Sequence, residues 1–198
     1  MPLLIAGIVL FMALHLVPAA PNVRADLRGK MGTSAYLLVF SIVSLVSLIM
    51  IVWGYGDAHG RNVANVQLWY PPAFMKHVTM ALMLPAFILL AAAYIPSRIR
   101  TAAKHPMLAA IKIWAFAHLL VRGDLASLLL FGSFLAFGVL DRISVKKRGA
   151  MGPLGTAKGG LRGDILAVVV GSAAYLLMLL WGHAALIGVP LLNFKFAP

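Results

Sequence analysis

Long apolar stretches alternate along this chain with short polar ones. Six apolar runs stand out, at about 2–20, 35–55, 73–95, 106–121, 125–140 and 165–190. A helix that crosses a bilayer needs about 20 such residues, within a range of about 17–25. The fourth and fifth runs are short. They read either as two thin crossings or as a hairpin that does not fully cross, and both readings leave the parity of the chain unchanged. The pattern predicts an all-α polytopic membrane protein with about six transmembrane helices.

The polar interruptions carry their own signals. The fourth run breaks at Arg122-Gly123-Asp124 and resumes at once. This tripeptide reads as a tight turn with Asp124 as N-cap of the next helix, and Asp164 reads as N-cap of the sixth run. Pro85 lies mid-run, where it removes a helix hydrogen bond and frees the carbonyl of Ala81; a tolerated kink competes with a polar opening beside a site. Gly132 and Ala136 form a small-xxx-small face suited to a helix contact, a pattern that Gly171 and Tyr175 meet only poorly. The stretch 141–163 is basic and glycine-rich, and is expected to be a flexible cytoplasmic loop between helices. One transmembrane domain over 1–192 and a short tail at 193–198 then account for the whole chain.

Composition agrees and adds direction. Of the 198 residues 62% are hydrophobic and 11% charged, against about 45–50% and about 25% in a soluble domain. The basic residues sort by loop. Arg24, Arg28, Lys30, Arg98, Arg100, Lys104, Arg142, Lys146, Lys147, Arg148, Lys158 and Arg162 fall in the odd loops, whereas Arg61, Arg122 and Lys195 fall in the even loops and tail. This asymmetry predicts that both termini face away from the cytoplasm, in a multi-pass protein of the bacterial inner membrane. The first run lacks the basic flank of a signal peptide, so an uncleaved first helix is expected. The net charge of +12 is thereby assigned to topology and lipid headgroups rather than to nucleic acid. Trp53, Tyr55, Trp69, Tyr70 and Trp181 fall near expected outer ends, as an interfacial aromatic belt.

With no cysteine, thiolate ligation, disulfides and Fe–S clusters are excluded. The ionisable groups within apolar runs are His15, His77, His105, His118 and His183, together with Lys76 and Lys112; His59 falls in the second loop and is expected to be solvated. Each intramembrane histidine is a functional hypothesis by default. Two neutral imidazoles on facing helices suit a haem iron or another metal, and an interfacial or hydrogen-bonded histidine is the plainer reading of each taken singly. At about 1.5 Å of rise per residue, His118 lies about 18 Å into its span and His77 about 7 Å in from the opposite side. That arithmetic pairs His118 with His77 rather than with His15. Trp114, Ala115 and Arg122 share the His118 face, and Arg122 is placed to meet an anion at the outer end.

The stretches "LWYPPAFMKHVTMALMLPAFILLAAAYIP", "KHPMLAAIKIWAFAHLLVRGDLASLLLFGSFLAFGVLDRISVKKRG" and "GDILAVVVG" resemble the NnrU family of bacterial membrane proteins over essentially the whole chain. This family shares its domain with plant-type 15-cis-ζ-carotene isomerase, a b-type haem enzyme of membranes. The resemblance implies haem ligation by His118, in "WAFAH", and by His15, in "ALHLV"; it ranks His15 ahead of His77 as partner. Two positions depart from the isomerase pattern. Ala115 replaces its cysteine, and Leu16-Val17 replace a Ser-Gly pair. The resemblance further implies a role in denitrification or nitrogen-oxide metabolism, as a redox, sensing or isomerase-like protein. Its partners would be the lipid bilayer and a membrane reductase or a hydrophobic small molecule. The rival reading is a non-haem membrane factor that assists assembly or regulation of nitrite or nitric oxide reductase through its basic loop. A small transporter is a third class, without an inverted repeat visible by eye.

Overall fold

The computed structural model describes residues 1–60 and 65–192. Arg61 and the tail at 193–198 lie outside the described residues. The chain divides into two compact units, Met1–Met75 with His118–Ala150 and Lys76–Ala117 with the residues from Met151 on.

The first unit holds α1 (Pro2–Leu16), α2 (Pro21–Met31), α3 (Thr33–Gly60) and α7 (Leu125–Lys147). A short turn, Val17–Ala19, joins α1 to α2. Pro21 opens α2, Gly32 ends it at a φ of 78°, and Lys30 bonds Asp26 one turn back at 2.9 Å. α1 packs along α3, and small residues let the two backbones meet. A Cβ at Gly7 would stand 2.9 Å from the Ile51 nitrogen, and one at Gly54 would run into the Leu4 backbone. Leu4, fully buried, and Ile51 complete this seam. Among the described residues the expected contact at Gly132 does not form: a Cβ there meets Leu128 Cδ1 of its own helix, at 3.7 Å.

In the second unit are α4 (Met75–Ala92), α5 (Arg98–Ala103), most of α6 (Pro106–Leu119), α8 (Leu161–Leu177) and α9 (His183–Ile187). α4 runs through Pro85 without a break. Gly171 of α8 lies against Ile88 of α4, where a Cβ would come 2.5 Å from the Ile88 Cα, and Tyr175 meets Phe87 edge-on at 6.1 Å. The glycine that seemed a poor small-residue match is thus a helix contact. A wide turn of the π type at Met178–Gly182 joins α8 to α9.

Asp164 does not cap its own helix. α8 begins three residues earlier, behind Gly160. The Asp164 carboxylate instead accepts from the Arg98 and Ile99 amides, at 2.6 and 3.1 Å, and so caps α5 from outside together with Ser97. Nor is 141–163 a loop throughout. α7 continues to Lys147, and buried Arg100 donates to the carbonyls of Ala157 and Gly155 at 2.5 and 2.6 Å.

Among the described residues five helical segments are long and apolar enough to cross a membrane: Pro2–Ala19, Thr33–Gly60, Met75–Ala92, Leu125–Lys147 and Leu161–Ile187. Pro106–Leu119 is a shorter apolar helix, as its run foretold. On α3, Leu38 is 62% and Trp53 70% exposed. Large side chains that face outward along apolar helices need lipid around them. The chain is an all-α polytopic membrane protein.

The seam between α1 and α3 gives a direct test. Gly54→Leu is expected to lower stability in detergent by about 3 kcal/mol, because backbone lies where the side chain must go. Gly132→Ala should leave the thermal midpoint unchanged or slightly raised. Equal midpoints for the two variants would contradict the close approach.

Candidate functional site

The break between α6 and α7 is built from side chains the sequence leaves scattered. An α-helix begins with amide N–H groups that have no partner within it. Here each is met. The Leu125 amide bonds the Val66 carbonyl at 2.9 Å, that of Ala126 the Asn65 side chain at 2.9 Å, and that of Ser127 the Asp124 carboxylate at 2.9 Å. The carbonyl of Gly123 accepts from the Leu68 and Trp69 amides at 2.7 and 3.1 Å. Gly123 is required here, because a Cβ would collide with the Trp69 carbonyl. Asp124 is the N-cap, as its position in the sequence indicated.

Asp124 is also the end of a polar relay. Tyr55 Oη lies 2.7 Å from Ser127 Oγ, and Ser127 Oγ donates to Asp124 Oδ2 at 2.8 Å. Because the serine proton goes to the carboxylate, the tyrosine hydroxyl must donate to the serine. His59 Nε2 stands 3.2 Å from Asp124 Oδ1 while its Nδ1 faces the Tyr55 carbonyl at 2.9 Å. The imidazolium form donates to both. His59 is therefore in the last turn of α3 and a partner of Asp124 rather than a loop residue, although it stays exposed as expected, and Tyr55 is tied into this network rather than free in an aromatic belt. Ser, His and Asp are present without the order of a hydrolytic triad: the buried hydroxyl faces the carboxylate, not the imidazole. Burial pushes the Asp124 carboxyl up. The Ser127 amide and hydroxyl, the His59 charge and Asn65 outweigh it and hold the group below the ordinary aspartate range.

His118 lies one turn before this break, near the end of α6. Its carbonyl accepts from the Val121 and Arg122 amides at 3.1 and 3.0 Å, and its ring stacks on Phe131 of α7 at 4.6 Å. His15, at the end of α1, belongs to the same unit. Its ring stacks on Phe11 at 3.9 Å, with Phe40 at 5.2 Å and Phe137 at 6.2 Å. The two imidazoles thus meet one helix at Phe131 and Phe137, about 9 Å apart by helical rise. His15 Nδ1 is 2.8 Å from the Phe11 carbonyl. A carbonyl only accepts, so Nδ1 carries the proton and the neutral ring keeps its lone pair on Nε2, the form that ligates metals. Beyond Phe40 the hydroxyl of Tyr36 is buried with no hydrogen-bond partner among the described residues. Such a group calls for a water or a bound molecule. Imidazole is the donor type that a haem iron site of a cysteine-free chain would use.

The other expected residues are dispersed. His77 is exposed on the first turn of α4, in the second unit. Trp114 lines an apolar cavity of about 270 Å³ in that unit, with Met83, Ala86, Phe87, Leu90, Ala110 and Ile111. Arg122 is half-buried at the α6–α7 break. Among the described residues no three His, Asp, Glu or Cys side chains converge as a metal cluster would require. His59, Tyr55, Ser127 and Asn65 were missed as a group. Only the Asp124-x-x-Ser127 spacing hinted at them.

Because the folded state holds Asp124 below its unfolded pKa, its contribution is complete at neutral pH and is lost as pH falls through the folded value. Asp124→Asn is expected to cost about 1.5–3 kcal/mol at neutral pH, and to lose less further stability than the parent below roughly pH 4. Parallel melting curves against pH would count against a charged Asp124.

No curated protein and no solved structure matches this chain. A family model described as "NnrU protein" matches residues 3–191. That span takes in His15, both units and every described helix but leaves out the tail, and the chain belongs to the NnrU family.

Proposed function

We propose that this membrane protein acts in nitrogen-oxide metabolism, in a process linked to denitrification, and that it holds a b-type haem through His118 and His15. One observation carries the reading: two histidines of one unit each meet a phenylalanine ring of α7, His118 at Phe131 and His15 at Phe137, and His15 has its tautomer set for ligation through Nε2. His15 is packed among aromatic rings whereas His77 is exposed, which favours His15 as the partner of His118. Bound there, haem would supply one-electron or diatomic-gas chemistry. The chain's own part is to orient the imidazoles with Phe11 and Phe131, and to exclude water with Phe134 and Phe137. With both His15 and His118 engaged, haem there would suit electron transfer; sensing or an isomerase-like role would require one of the two imidazoles to be free. The rival reading is a docking factor for a reductase. It draws support from Lys146 and Lys147, both exposed at the end of α7.

The protein purified in detergent and supplied with haem should show a stoichiometric Soret band that shifts on reduction. His118→Ala and His15→Ala should each abolish most of it, and His77→Ala should keep it. A colourless wild-type protein would sink the haem reading and leave the docking factor; loss only in His118→Ala and His77→Ala would exchange the partner.

A further inference from the structure

Where α1 ends, the first unit carries a cleft of about 240 Å³ lined by Pro18, Pro21, Arg24, Ala25, Arg28 and Arg148. Three guanidiniums from α2 and from the residue after α7 surround it. Arg28 reaches Thr33 Oγ1 at 3.2 Å, and Arg148 meets Ser144 Oγ at 3.1 Å and stands 3.7 Å from Asp141. Asp141 is the only carboxylate paired with any of the three among the described residues, so the cleft keeps an excess of positive charge.

Two further features point to an anion. Arg24 and Arg28 are one turn apart on α2, and like charges at that spacing weaken a helix unless something neutralises them. The N-terminus of α2 also opens at the cleft, at Pro21. Ala20 before it offers no side-chain cap and the first turn holds no acidic residue, so its positive end has no anionic partner within the helix. The position selects the source of the anion. The cleft adjoins Pro18, within the candidate span Pro2–Ala19, and exposed Leu16 and Val23 flank it. An arginine-rich cleft at the foot of a spanning helix fits a headgroup whose acyl chains lie along that helix.

We infer that Arg24, Arg28 and Arg148 form a binding site for the phosphate group of an anionic phospholipid. Neither His15 nor His118 lines this cleft, and the proposal does not depend on haem. The lipid clamps the α1–α2 corner to the end of α7.

The test uses the full chain in nanodiscs of phosphatidylcholine alone or mixed with phosphatidylglycerol, together with native mass spectrometry of lipids retained in detergent. Wild-type protein should melt higher in the mixed discs and retain phosphatidylglycerol. The double variant Arg24→Gln/Arg148→Gln should bind it roughly thirtyfold more weakly, given the usual worth of a basic side chain at an anionic surface. Lys146→Gln/Lys147→Gln removes the same charge from the exposed end of α7 and should change retention far less. Arg24→Lys/Arg148→Lys should recover most of the affinity, which separates loss of the site from misfolding. Equal losses in the two glutamine variants would show general surface attraction and overturn the site. Equal stabilisation by inorganic phosphate would make the ligand a free anion and overturn the lipid.

Discussion

A helix that starts inside or beside a membrane must give its first amide groups a partner, since hydrocarbon offers none and each unpaired group is costly. At the α6–α7 break that demand is met in full by Val66, Asn65 and Asp124. Much else in the first unit follows from it. The segment 65–69 is fixed because its groups pair with Gly123, Leu125 and Ala126. The last turn of α3 is fixed because Tyr55 and His59 complete the shell of Asp124. His118 stands one turn from a rigid corner, so its ring meets Phe131 on a helix whose start cannot slide.

The pairing of α1 with α3 is held differently. α1 and α3 approach through Gly7 and Gly54, where backbone replaces side chain at the contact. Such a seam has little freedom to rotate, because turning either helix brings a Cβ into the other's main chain. His15 lies at the far end of α1, beyond this seam, and its ring is gripped by Phe11 from its own helix and by Phe40 and Phe137 from two others. One imidazole is positioned through polar capping and the other through close packing of small residues and rings.

The runs of apolar residues gave away the helices because lipid imposes length and composition directly. The fourth run proved as short as it looked, and Asp124 caps as its place before an apolar run suggested. Asp164 was misread because the same signal, an acid before an apolar run, ignores where helical backbone can begin; Leu161-Arg162-Gly163 had no reason in sequence to be helical, and its cap serves a distant helix instead. Gly7 and Gly54 were invisible for a related reason. Each is a lone glycine in an apolar run, and only pairing in space reveals that the two meet one seam. His59 was placed in a loop because it lies between Asp57 and Gly60, features of a turn, although α3 extends over all of them and leaves it exposed.

What a histidine can do in this fold depends on what meets its second nitrogen. His59 faces acceptors on both sides, a carbonyl and a carboxylate, and so is committed to structure. His15 faces a carbonyl on Nδ1 alone, from the residue one turn earlier whose ring also stacks on it. Phe11 therefore sets the proton and the ring plane together, by backbone and by side chain. Exchanging the phenylalanine ring for another flat apolar group would keep the tautomer while loosening the plane. Exchanging His15 itself would remove the lone pair that this tautomer leaves on Nε2. What separates the two histidines is that pairing of roles, which residue type and depth in the membrane do not encode.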